Sequence, residues 1–150
     1  MPNASPPPTP DVVAVELRRT FAASRQRVFA AWTSAEALKR WHAPENAVVE
    51  DASVDFRVGG RYDVSMRSDD GKLHRVGGHY REIDPPSRIV LTWHWANAPE
   101  EQQSVVTVDF IERGTSTEVV LIHEGLATEK ERDGHRHGWV GCLAKLEQAV

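Results

Sequence analysis

Apolar and polar side chains alternate through the middle of this chain, and apolar residues recur at helical spacing near its end. Val13, Val15 and Leu17 alternate with Ala14, Glu16 and Arg18, the period of a strand with one buried face, which predicts a first strand running to about Phe21. Ser24 then precedes Val28, Phe29 and Trp32 at helical spacing; its hydroxyl suits an N-cap because it accepts from a free N–H of the first turn. Ser34 and Glu36 start a second short helix with Leu38 and Trp41 on one face, and Pro44, which lacks an N–H, stops it.

From about Asn46 to Glu124 the alternation resumes, punctuated by turn residues, as in an antiparallel sheet. Tyr62, Val64 and Met66 share one face of a strand whose other face carries Arg61, Asp63, Ser65 and Arg67. Asp70-Gly71 supplies a hairpin turn, and Gly77-Gly78 inside the returning strand signals a bulge or a close approach. Ile89, Leu91, Trp93 and Trp95 line the next strand, Val106, Val108 and Phe110 another, and Val119, Leu121 and His123 the last. Thr128 and Glu131 have capping-box spacing ahead of Trp139, Leu143, Leu146 and Val150, an apolar stripe suited to packing on a sheet. Gly134, Gly138 and Gly141 weaken that helix by about 1 kcal/mol each relative to Ala unless close contact compensates. The order predicts an α+β domain, six to seven antiparallel strands against a long C-terminal helix, with two short helices after strand one.

Composition narrows the function classes. The 150 residues are 40% hydrophobic and 27% charged, enough for one globular core. Five of the nine prolines fall in residues 1–10, so residues 1–11 read as a disordered Pro-rich arm and 12–150 as the domain. Eighteen Lys and Arg against 22 Asp and Glu leave a net charge of −4 with no basic run, which argues against a nucleic-acid partner. The sequence contains no apolar run of spanning length and no secretory signal, so membrane insertion is not expected and a cytoplasmic location is. Cys142, the single cysteine, excludes an internal disulfide and reads as a small buried hydrophobe. The five Trp outnumber both the four Phe and the two Tyr, and they need a location.

Five segments in order resemble the homologues of the heat-shock-protein-90 ATPase activator, within the START-like (SRPBCC, birch-pollen-allergen-like) helix-grip superfamily. They are VFAAWTSAEALKRWHAP (28–44), VDFRVGGRYDVSMRSDDG (54–71), GGHYREIDPPSRIVLTWHW (77–95), GTSTEVVLIHEGL (114–126) and HGWVGCLAKLEQ (137–148). His42 departs from the pattern, which more often has a bulky residue such as Trp there. The resemblance implies a curved sheet gripping the C-terminal helix, with a cavity between them that in the superfamily holds hydrophobic small molecules.

Chemistry is then sought on the inward faces. Trp32, Trp41, Tyr62, Met66, His79, Trp93, Trp95, Leu121, His123 and Trp139 form the candidate cavity lining, the plainer alternative being a filled core. His79 and His123 are the candidate polar groups inside it. Glu82, an acid between apolar neighbours in a strand, and His123 are the acid–base candidates for a cyclase-, dehydratase- or hydrolase-type reaction of the kind found elsewhere in the superfamily. Pairing of Glu82 with Arg61 or Arg81 is the commoner outcome for such an acid. A metal site from His123, His135 and Glu124 is a remote alternative, and neither metal nor cofactor is expected. The expected partner is an apolar ligand; a chaperone of the heat-shock-protein-90 type and a second copy of the chain are further candidates.

Overall fold

The computed structural model describes residues 13–150, so the Pro-rich arm lies outside the described residues. Strand β1 (Val13–Phe21) is followed by helices α1 (Arg25–Ala30) and α2 (Ala35–Leu38). Six strands come next: β2 (Ala47–Val54), β3 (Arg61–Ser68), β4 (Leu73–Asp84), β5 (Arg88–Trp95), β6 (Ser104–Arg113) and β7 (Ser116–Leu126). Helix α3 (Glu129–Ala149) ends the chain. The seven strands form one antiparallel sheet in the order β1-β7-β6-β5-β4-β3-β2, open at β1 and β2. This is an α+β helix-grip architecture in which the curved sheet holds α3 on its inner face.

The caps form as the side chains dictate. Ser24, Ser34 and Thr128 each accept from the N–H three residues on, belonging to Arg27, Ala37 and Glu131. α2 is shorter than its apolar spacing suggests: it ends at Leu38, and the 39–43 segment continues in turns that bury Trp41, His42 and Ala43. Gly71 and Gly114 sit at the hairpin tips with φ of 84° and 64°, a backbone region that glycine enters without a Cβ penalty.

Alternation places the core. Thr117, Val119, Leu121 and His123 of β7 are all fully buried, as are Val106 and Val108 on β6. α3 adds Trp139, Cys142, Leu143 and Leu146. Gly141 is required by contact: a Cβ there would lie 2.6 Å from the backbone nitrogen of Glu45. Lys145 secures the same junction by donating to the carbonyls of Pro44 at 2.8 Å and Ala47 at 2.5 Å.

A cavity at one end of a tryptophan cluster

The tryptophans are continuous. Trp41 packs on Trp32 with centroids 4.4 Å apart, Trp32 stacks on Trp139 at 6.4 Å, Trp139 meets Trp93 at 5.1 Å, and Trp93 meets Trp95 at 5.6 Å. The two ends of this row differ. Trp41 is fully buried in the hydrophobic core, donates its indole N–H to the Ala31 carbonyl at 2.9 Å, and borders no cavity among the described residues. Beside Trp93, Trp95 and Trp139 the interior is hollow: a cavity of about 540 Å³ is lined by α3, the β3–β4 hairpin and the 42–47 segment, which meets α3 at Gly141 and Lys145. Asp70 and His74 of the hairpin and Gly134 and His137 of α3 are exposed wall residues, so the cavity opens to solvent there.

Of the expected lining, Met66, Trp93, Trp95 and Trp139 border the hollow, whereas Trp32, Trp41, Tyr62, Leu121 and His123 belong to packed core. Tyr62 donates to the Thr92 carbonyl at 2.7 Å, and burial pushes its phenol well above the usual range. His79 is exposed: Val76, Gly78 and Tyr80 occupy the inner face of β4, which turns the intervening position outward. Glu82 is exposed as well, against the expectation of an inward acid. Continued alternation from Tyr80 would bury it, but the β4–β5 register shifts between Tyr80 and Glu82, and this bulge swings Ile83 inward instead. Arg61, one expected partner of Glu82, pairs with Asp63 at 3.2 Å.

His123 is a strut rather than a base. Its Nδ1 accepts from the Trp139 indole N–H at 3.0 Å, which leaves the proton on Nε2, 2.7 Å from the Ser104 hydroxyl. That hydroxyl donates in turn to the Trp93 carbonyl at 3.2 Å. With both ring nitrogens engaged and the ring fully buried, burial lowers the pKa to about 3, helped by nearby His135. The Ser104–His123 pair therefore lacks the free, accessible hydroxyl of a nucleophile. His135 is engaged similarly: its Nε2 accepts from the Trp95 indole at 2.9 Å, so Nδ1–H donates to the Glu131 carbonyl at 2.6 Å. Glu124 faces away from His123 on the exposed side of β7, and among the described residues no group of three His, Cys, Asp or Glu side chains is placed to hold a metal ion. Replacing His123 by Phe would preserve bulk but strand the Trp139 N–H and take away the donor to the Ser104 oxygen; a loss of about 2–4 kcal/mol is expected in urea unfolding, and a loss under about 0.5 kcal/mol would refute the strut.

A Ser–His–carboxylate group sits at the cavity mouth. Ser68 Oγ lies 3.1 Å from His74 Nε2 and 2.5 Å from Asp70 Oδ1. Here the serine stands between the other two, so its proton goes to the carboxylate and the imidazole cannot act as its base. The Ser68 hydroxyl and the Lys72 N–H hold the Asp70 carboxyl below the usual range, hence ionised. Cys142, also on the wall, is kept a thiol by burial, its pKa pushed up to about 12.

The wall residues not picked out as cavity residues in the sequence include His42, Gly134 and Gly138. His42 is buried at 4% exposure, its pKa lowered to about 4 by desolvation, and its Nδ1 has no hydrogen-bond partner. Trp93 Nε1 is likewise unpartnered. His42 did stand out, as a departure from a bulky position. Gly134 and Gly138 are wall residues that packing does not require: a Cβ at Gly134 would meet nothing within 4 Å, and one at Gly138 only the Pro44 Cβ at 3.9 Å. Their signal was the helix penalty itself.

A sheet that grips one long helix and leaves an aromatic-walled hollow at one end defines the helix-grip class. The chain belongs to the family described as activator of Hsp90 ATPase homolog 1-like protein, whose pattern matches residues 22–150. The human protein named activator of 90 kDa heat shock protein ATPase homolog 1 is 28% identical over 127 residues, covering 83% of this chain and 33% of the human protein. This chain thus spans about a third of the curated relatives it matches. A Chromobacterium violaceum protein of known structure superposes with a TM-score of 0.82 at 27% identity, covering 92% of this chain and 96% of that one. The AHSA1 protein of Silicibacter pomeroyi gives 0.80 at 26%, covering 90% and 95%. Among the described residues no helix is long and apolar enough to cross a membrane.

Proposed function

We propose that this chain binds an apolar aromatic small molecule in the hollow between α3 and the β3–β4 hairpin, and does so in the cytoplasm. One observation carries the reading: the tryptophan row is packed at the Trp41 end and hollow at the Trp93 end, where about 540 Å³ is walled by three indoles and Met66. That volume is within the range of small-molecule sites. The unpartnered nitrogens of His42 and Trp93 on this wall support it, because a bound polar atom could relieve the cost of about 1–3 kcal/mol that each carries, although Trp32 and Arg25 carry unpartnered nitrogens away from the hollow. Glycines at 134 and 138, each costing the helix about 1 kcal/mol with no contact in return, support it too.

Native mass spectrometry of the purified protein tests for a co-purifying ligand, and titration of a panel of aromatic compounds against Trp fluorescence tests for binding. Gly138→Leu should project into the hollow and weaken binding at least about tenfold without unfolding the chain, since a Cβ there makes only an ordinary contact, 3.9 Å from the Pro44 Cβ. Neither a co-purifying molecule nor a fluorescence response, or a Gly138→Leu variant that binds unchanged, would refute the proposal.

Family membership favours a second reading, modulation of a heat-shock-protein-90-type ATPase. Adding the chain to such a chaperone and measuring ATP turnover decides it, and an unchanged rate removes it. An enzymatic reading gains less support, because neither Glu82 nor His123 borders the hollow.

A further inference from the structure

The hollow is aromatic in its walls and acidic at its mouth. Asp70 enters from the hairpin and Glu131 from α3, while no Lys or Arg lines the hollow among the described residues. Two lysines lie close by but are otherwise occupied or outside it. Lys145 turns its ammonium onto the Pro44 and Ala47 carbonyls, and Lys72, exposed in the hairpin turn, gives its backbone N–H to Asp70 at 3.0 Å. His42 is neutral at physiological pH because burial holds its pKa near about 4. An anionic ligand would therefore meet two carboxylates and no Lys or Arg on the wall, with Lys72 and His74 close enough to Asp70 to help lower its carboxyl. A cation would meet those carboxylates and the electron-rich faces of Trp93, Trp95 and Trp139, to which cations are drawn.

Shape adds a second constraint. Gly134 and Gly138 lie one helical turn apart and leave a bare strip on α3 among the side chains of Glu131, His135 and Trp139, which also line the hollow. The missing Cβ atoms on a wall shared with indole rings leave room for a flat ring system.

We propose that the hollow selects a planar aromatic cation, its rings between Trp93 and Trp95 of β5 and the bare strip of α3, its charge at the mouth between Asp70 and Glu131. This rests on the ligand-binding reading above and adds the sign of the ligand's charge. The test uses one ring system with three substituents: 9-anthracenylmethylamine, 9-anthracenemethanol and 9-anthracenecarboxylic acid, each titrated against Trp emission. The amine should bind about tenfold more tightly than the acid, with the alcohol between, and the preference should fall below about threefold at high salt or in Asp70→Asn/Glu131→Gln. Both substitutions retain the local hydrogen-bonding roles, Asn in the turn and Gln in the capping box, so the fold is expected to persist. The salt titration of the unaltered chain gives the same answer should the variant fail to fold. Equal affinities, a preference for the acid, or a preference unmoved by salt would overturn the proposal and leave the cavity reading standing. Failure of all three compounds to bind would overturn both.

Discussion

Acidification from neutrality to about pH 4.5 is expected to cost about 5 kcal/mol of folding stability, most of what a domain of this size commands. The cause is two buried imidazoles, His42 and His123, whose pKa values fall from 6.5 to about 4 and about 3 in the fold. As pH drops below 6.5 the unfolded chain takes up protons that the folded chain cannot, so the unfolded state gains. The loss begins near the unfolded pKa and continues until the folded pKa is reached. At about pH 4.5 each histidine accounts for about 2–3 kcal/mol. Urea unfolding at a series of pH values reads this directly, and His42→Phe should reduce the slope between about pH 6.5 and 4.5 by close to one proton. Stability that stays level over this interval would show that the histidines are solvated and that the packed core described around them is wrong.

Gly78→Ala is expected to cost about 3 kcal/mol or more, or to prevent folding. A Cβ at this buried strand position would lie 2.2 Å from the Thr92 carbonyl oxygen and 2.5 Å from Thr92 Oγ1. Neither atom can move freely. The carbonyl accepts from Tyr62 and the hydroxyl oxygen accepts from the His79 backbone N–H at 2.8 Å, so relief means loosening β3, β4 and β5 together. Gly134→Ala is the matched comparison, since its Cβ enters open space and should leave stability unchanged or raise it by up to about 1 kcal/mol. Thermal unfolding of the two variants separates a glycine required by contact from one that packing does not require; similar melting temperatures would refute the distinction.

The legible parts of this chain share a property. Strand faces, caps and hairpin tips depend on residues within a few positions of one another, so the alternation of Tyr62, Val64 and Met66, the Thr128 cap and Gly71 could all be read in order. Gly77-Gly78 signalled a bulge or a close approach, and at Gly78 the structure has the close approach. Glu82 shows where such reading fails: one extra residue at the bulge inverts the phase of everything after it, and nothing in Tyr80-Arg81-Glu82-Ile83 announces the insertion. His79 was misplaced more simply, because its neighbours Gly78 and Tyr80 already claim the inner face.

By itself, then, the sequence determined the order of elements, the inward faces, the family resemblance and the gathering of the tryptophans. Tertiary structure alone decided which end of the tryptophan row is hollow and which histidines are spoken for. The reason is physical: periodicity tells a side chain which face it shares, but a void arises from what the opposite wall lacks. Here that wall is α3, about 40 residues downstream of the Trp95 strand, where Gly134 and Gly138 leave off the atoms that would have filled it.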